Sequence, residues 1–178
     1  MSITMRDIRR HSSRNETKES PYCPKKSKAA YEFSLMERVE RANITEKAIA
    51  EKIEHHTGHQ ATVTIHNHPW DITVDLDKPK RIEVKSSLYR PRDATNSKSS
   101  YSFVNITPEH FDYLFIVFVT PKGTIEKWAH AKDVKKLCKN KKRYPTGYVL
   151  NYTLNSTHGR AAALPECFHD MEDFPYGN

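Results

Sequence analysis

The stretch "YLFIVFV", Tyr113 to Val119, is seven apolar residues without a polar interruption. It is far too short to cross a membrane, and its aromatic and β-branched makeup suits a buried strand. A strand of that kind forces the rest of the chain to cover it. At 178 residues and 37% hydrophobic content there is material for one such core in one domain.

The neighbouring patterns say what does the covering. "DITVDL" and "RIEVKS" alternate polar and apolar residues, the period-two sign of half-buried strands, and the short "DKPK" link makes them an antiparallel hairpin. "QATVTIH", "YSFVNI", "TIEKWAHA" and "GYVLNYTL" are further strands, with "PKG" a tight turn. Residues 31–57 are helical in pattern. Tyr31, Leu35, Val39 and Ala42 form one stripe and Ile49 and Ile53 a second. Asn43-Ile44-Thr45-Glu46 fits a capping box, which predicts two abutting helices there, and Gly58 ends the second. "TPEHFDYL" has room for one helical turn, and "HAKDVKKLCK" for a short basic helix. The order predicts an α/β domain, a mixed central sheet flanked by helices, over residues 31–178.

Residues 1–30 are polar and basic with no apolar h-region, so they read as a flexible basic arm and not a signal peptide. The three cysteines, Cys23, Cys138 and Cys167, are few and scattered, which points to a reducing, cytoplasmic setting. Net charge is +7, and it is concentrated: residues 122–143 hold nine Lys or Arg against two acids. Such blocks attract polyanions. Lys139, Lys141 and Lys142 are the expected phosphate contacts, with Arg90, Arg92 and Lys98 from the polar loop after the hairpin. A lysine-rich run of this kind is equally a plain solvated surface.

Two stretches could carry chemistry. His66-Asn67-His68 places two histidines on one strand face, a possible metal pair. Pro69 ends the run, though, and no matching cluster is seen beyond His55, His56 and His59. The second stretch is the hairpin. Asp71, Thr73, Asp75, Arg81, Glu83 and Lys85 share its polar face. A turn centred near Lys78 sets Asp71 opposite Lys85, with Glu83 on the diagonal. Two carboxylates so placed can share a hard cation such as Mg²⁺, and a lysine beside them can orient water. On spacing alone, the simpler reading is an amphipathic hairpin with a salt-bridged outer face. Against it stand a Glu-x-Lys embedded in a β-branched strand, the basic loop that follows, and Glu46 on the helix face of Ile49 and Ile53.

"PWD" at Pro69 to Asp71 with "EVK" at Glu83 to Lys85, followed by the segment leading into "YLFIVFV", resembles the PD-(D/E)xK nuclease superfamily. The likeness covers roughly residues 46–131, and Trp70 stands inserted between Pro69 and Asp71. It implies a restriction-endonuclease-like fold and an Mg²⁺-dependent endonuclease acting on DNA, working as a homodimer. Asp71, Glu83 and the carbonyl of Val84 would bind the metal, Lys85 would position water, and Glu46 would join from the helix, with Glu51 and Glu54 as lesser choices. A junction resolvase or repair nuclease of the same fold, a non-catalytic DNA-binding protein on a nuclease scaffold, and a basic structural protein without a site are the rival readings.

Overall fold

The computed structural model describes Tyr22, Lys25 and residues 27–64, 68–90, 100–154 and 162–175. The buried run becomes strand β5, Tyr113–Thr120, with seven of its eight residues buried. It lies inside a five-stranded sheet of order β1-β2-β3-β5-β6, formed by β1 (Ala61–Val63), β2 (Ile72–Val74), β3 (Lys80–Leu88), β5 and β6 (Gly123–His130). The β3–β5 pair is parallel and the other pairs are antiparallel, so the sheet is mixed. The fold is α/β with helices against this sheet.

β5 is apolar on both faces because both are covered. On one face, helix α1 (Lys28–Leu35) and helix α2 (Arg38–Thr57) help bury Ile49, Ile53, Ile72, Val74, Ile82, Val84 and Phe115. On the other, helix α3 (Ala131–Cys138) and a three-stranded sheet pack over Leu114, Ile116 and Phe118. That second sheet contains β4 (Tyr101–Ile106), β7 (Tyr148–Thr153) and β8 (Ala162–Ala163). Each fully buried Phe, Ile or Leu here contributes about 1.5–3 kcal/mol through removal from water. A short 3-10 helix, Met171–Asp173, and Phe174 close the helix α2 face near Trp128.

Several expectations are corrected. The helical region breaks at Met36–Glu37, not at Asn43. Thr45 returns its hydroxyl to the Arg41 carbonyl at 2.7 Å, a bond made inside a continuing helix, so the capping-box residues lie within α2. The stripe from Tyr31 to Ala42 therefore spans the break, and Val39 is 68% exposed. Gly58 does end α2, in a left-handed conformation with its N–H on the Glu54 carbonyl at 2.8 Å. "TPEHFDYL" holds a turn, His110 N–H to Thr107 carbonyl, rather than a helical turn before β5. "YSFVNI" and "GYVLNYTL" form strands, but in the second sheet rather than in one continuous one. "QATVTIH" yields a strand only over Ala61–Val63, and Ile65 and His66 lie outside the described residues. Most of the expected N-terminal arm also lies outside them. Tyr22, within that stretch, is buried and donates its hydroxyl to the Val119 carbonyl while accepting the Tyr89 N–H. No helix among the described residues is long and apolar enough to cross a membrane.

Candidate active site at the end of β2

β2 is three residues long and pairs with β3 only through Ile72↔Ile82, Thr73↔Arg81 and Val74↔Lys80. Among the described residues, β3 from Glu83 onward has no strand partner on that side. A notch thus opens in the middle of the sheet. Asp71 sits at its mouth, held by its own backbone: its N–H bonds the Ile82 carbonyl at 2.9 Å, and its carbonyl accepts the Thr64 N–H at 2.8 Å. Its carboxylate then reaches into the notch and accepts the Val84 N–H on Oδ2 at 2.7 Å.

The register corrects the expected one. The turn centres near Asp77 rather than Lys78; the ladder ends at Ile72↔Ile82, and Asp71, its N–H on the Ile82 carbonyl and its carboxylate on the Val84 N–H, flanks Glu83 rather than facing Lys85. The shift is by two residues and keeps every side chain on its expected face. It brings the two acids closer in register than the sequence suggested.

The polar face is not a solvated outer face. Glu83 is only 7% exposed, and Ser87 on the same face is equally covered. The parallel register with β5 explains it, since Glu83, Lys85 and Ser87 pair with Leu114, Ile116 and Phe118 beneath the second sheet. Ser87 takes the Ser102 N–H of β4 at 2.9 Å. Lys85, half-buried, is ion-paired with Glu83 through Oε1. Burial pushes the Glu83 carboxyl up to about 7; the Asp71 and Glu46 charges push the same way, and Lys85 opposes them. The Glu46 charge, on α2, is the weakest of these influences on Glu83. Glu54 is engaged elsewhere, accepting the Ala61 N–H at 2.9 Å, and Glu51 is exposed.

The donor set suits a hard divalent cation that keeps part of its water shell, for which one or two carboxylates suffice. In an extended strand the N–H and C=O of one residue point to the same neighbour. The Val84 N–H points at Asp71, so its carbonyl opens on the same notch. Asp71, Glu83 and the Val84 carbonyl are then the residues that would hold such an ion. Among the described residues no three His, Cys, Asp or Glu side chains form a group that could hold a metal by themselves. That applies equally to the histidines. His66 and Asn67 lie outside the described residues, His68 packs its ring 5.0 Å from Trp70, and His55 and His56 end α2.

One neighbour was not foreseen. Asp112, just before β5, takes the Arg81 N–H at 2.9 Å and its guanidinium at 3.1 and 3.2 Å. The Arg81 guanidinium also lies over the Trp70 ring, 5.7 Å from its centre. Arg81 holds the Asp112 carboxyl below the usual range against the opposing effect of burial. This clamp ties the start of β3 to the start of β5, and a lone Arg and Asp 31 positions apart give no signal of it in sequence.

The expected nucleic-acid contacts divide. Arg90 is exposed and its backbone pairs with Ser100 at 3.0 and 3.1 Å. Arg92 and Lys98 lie outside the described residues. Lys139 caps α3, and Lys141 and Lys142 follow in an exposed turn.

No family model matches the chain, and no curated protein matches it. Among solved structures, a bacterial homing endonuclease superposes with a TM-score of 0.49 at 12% identity, over 71% of this chain and 85% of that one.

Proposed function

We propose that the chain is a metal-dependent endonuclease that hydrolyses DNA phosphodiester bonds at the notch beside β3. The carrying observation is a buried glutamate, Glu83, its carboxyl raised by that burial, with Lys85 paired to it and the Asp71 carboxylate held on the next residue's N–H, that of Val84. Two acids crowded in a covered site, one of them protonated up to about neutral pH, are costly unless a cation joins them. Asp71 at a strand end, fixed by main-chain bonds on both sides, and Glu83 inside β3 give the rigidity that a catalytic constellation needs.

Bound Mg²⁺ would supply Lewis-acid charge to the phosphoryl oxygens and lower the pKa of a bound water. Asp71 and Glu83 would hold that ion through their carboxylates, with the Val84 carbonyl as a neutral donor. Lys85, now paired with Glu83, would orient the attacking water and offset charge developing on phosphate. Glu46, on α2, would act on the site through its charge and not as a ligand. A restriction-like mode implies a two-fold dimer, since cutting both strands needs two sites.

The test is incubation with supercoiled plasmid in Mg²⁺ or in EDTA, using wild type, Asp71→Asn, Glu83→Gln and Lys85→Ala. Discrete Mg²⁺-dependent fragments support the restriction-like reading, and cutting confined to branched substrates would move it to a junction resolvase. Plasmid that is retarded but never cut would make the chain a DNA-binding protein. Asp71→Asn that cuts at the wild-type rate would remove the chemistry from these residues.

A further inference from the structure

The turn between α3 and β7 is the most strongly charged exposed segment among the described residues, and it is built rather than loose. Residues 139–146 are all exposed. Tyr144 and Gly147 exchange backbone hydrogen bonds, N–H to O at 2.9 and 3.0 Å, closing a two-residue turn over Pro145 and Thr146. Gly147 is seated tightly: a Cβ there would lie 2.6 Å from the Ile106 carbonyl oxygen, and its φ is +124°. Thr146 donates its hydroxyl to the Asn105 side chain at 2.7 Å. Asn105 itself holds a positive φ of 60° at a β4 irregularity facing β7. A non-glycine residue held there beside an exposed loop is the kind of strain that marks a shaped surface.

What this turn displays is unusual in two ways. Two of the three α3 lysines before it are ion-paired: Lys135 with Glu109 and Lys136 with Asp133. Among the described residues, no acidic side chain pairs with Lys139, Lys141, Lys142 or Arg143. Tyr144, meanwhile, leaves 46% of its surface in water. Lys142 sits over its ring at 5.3 Å and Arg143 over the Tyr148 ring of β7 at 5.7 Å, so two of the cations rest on rings.

We propose that this turn is a nucleic-acid-contacting finger, in which Lys141, Lys142 and Arg143 neutralise phosphates while the Tyr144 ring packs against a base or sugar. The inference rests on the reading of the chain as a DNA-acting protein and adds the element that grips it. Unpaired cations supply salt-sensitive attraction, through counterion release. A held aromatic ring supplies the part that salt does not screen. Pre-forming the turn removes the ordering cost at binding.

The two contributions separate in a salt titration of binding to a short DNA duplex of arbitrary sequence, in EDTA so that cutting plays no part. Tyr144→Ala should weaken binding by the same factor at every salt concentration, with the salt slope unchanged. Tyr144→Phe should bind as wild type, since the ring and not the hydroxyl acts. Replacing Lys141, Lys142 and Arg143 together by Gln should flatten the slope by roughly 2–3, at about 0.9 per phosphate contact. Wild-type affinity in Tyr144→Ala, an unchanged slope in the triple variant, or no binding by wild type overturns the finger. So does a loss in Tyr144→Ala that tracks a lowered melting temperature. Whether wild type cuts plasmid in Mg²⁺ is a separate readout, which bears on the nuclease reading alone.

Discussion

Glu83 carries a thermodynamic signature that can be read without any substrate. Its folded pKa of about 7 lies above the ordinary glutamate value of 4.5. A carboxyl raised on folding contributes stability that is fully present below pH 4.5 and is lost as pH rises through 7. Across that window the metal-free protein should lose about 3 kcal/mol through this one group, at about 1.4 per unit of pKa displacement. Glu83→Gln keeps the shape and abolishes the titration. Urea unfolding in EDTA at pH 5 and pH 8 should therefore show a fall for wild type that the variant lacks. Parallel behaviour of the two proteins would mean that Glu83 ionises in the fold as freely as in water. The hairpin that carries Asp71, Glu83 and Lys85 was legible from alternation, but on spacing alone its polar face read as a salt-bridged outer surface. The burial of Glu83 was not legible, because the second sheet that covers it comes from segments 15 or more positions downstream.

At the scale of elements, strands with strong local signals matched and long-range choices did not. "YLFIVFV" and "TIEKWAHA" are β5 and β6 because uninterrupted or alternating apolar residues and the Thr120–Gly123 turn leave few alternatives. The capping-box reading of Asn43 failed because the same residue types are tolerated inside a helix when a hydroxyl bonds back to the preceding turn, as Thr45 does. The hairpin register moved by two because a "DKPK" link permits more than one turn, and only packing of Ile72 against Ile82 decides it. Gly147 is another position that tertiary packing alone explains. Gly147→Ala places a methyl against the Ile106 backbone at a φ that L-residues avoid, so it should cost about 1–3 kcal/mol and lower the melting temperature. Gly58→Ala, at a helix end with open space around it, meets no such wall. Equal losses at the two glycines would show that the left-handed backbone, rather than the close approach, sets the penalty.

On the scale of the whole molecule, the division of β4 and β7 into a second sheet was beyond sequence, since alternation says that a strand is half-buried but not which sheet it joins. That division decides where a cation would act. The proposed ion site draws on Asp71 before β2 and on Glu83 and Val84 of β3, so one ion would tie neighbouring strands together in the middle of the sheet. An ion that binds the folded chain and not the unfolded one stabilises it by mass action, about 2.7 kcal/mol at a concentration 100 times its dissociation constant. Mg²⁺ should then raise the melting temperature at pH 8, where Glu83 is mostly ionised, and raise it less at pH 5, where a proton competes for the same oxygens. Asp71→Asn and Glu83→Gln should lose the Mg²⁺ increment while remaining folded. Lys85→Ala should keep or enlarge it, because removing the ammonium frees Glu83 for the ion. A thermal scan of the four proteins with and without Mg²⁺ decides between this and a general salt effect. An increment of the same size in all four would place the ion on the surface and leave the notch without a metal.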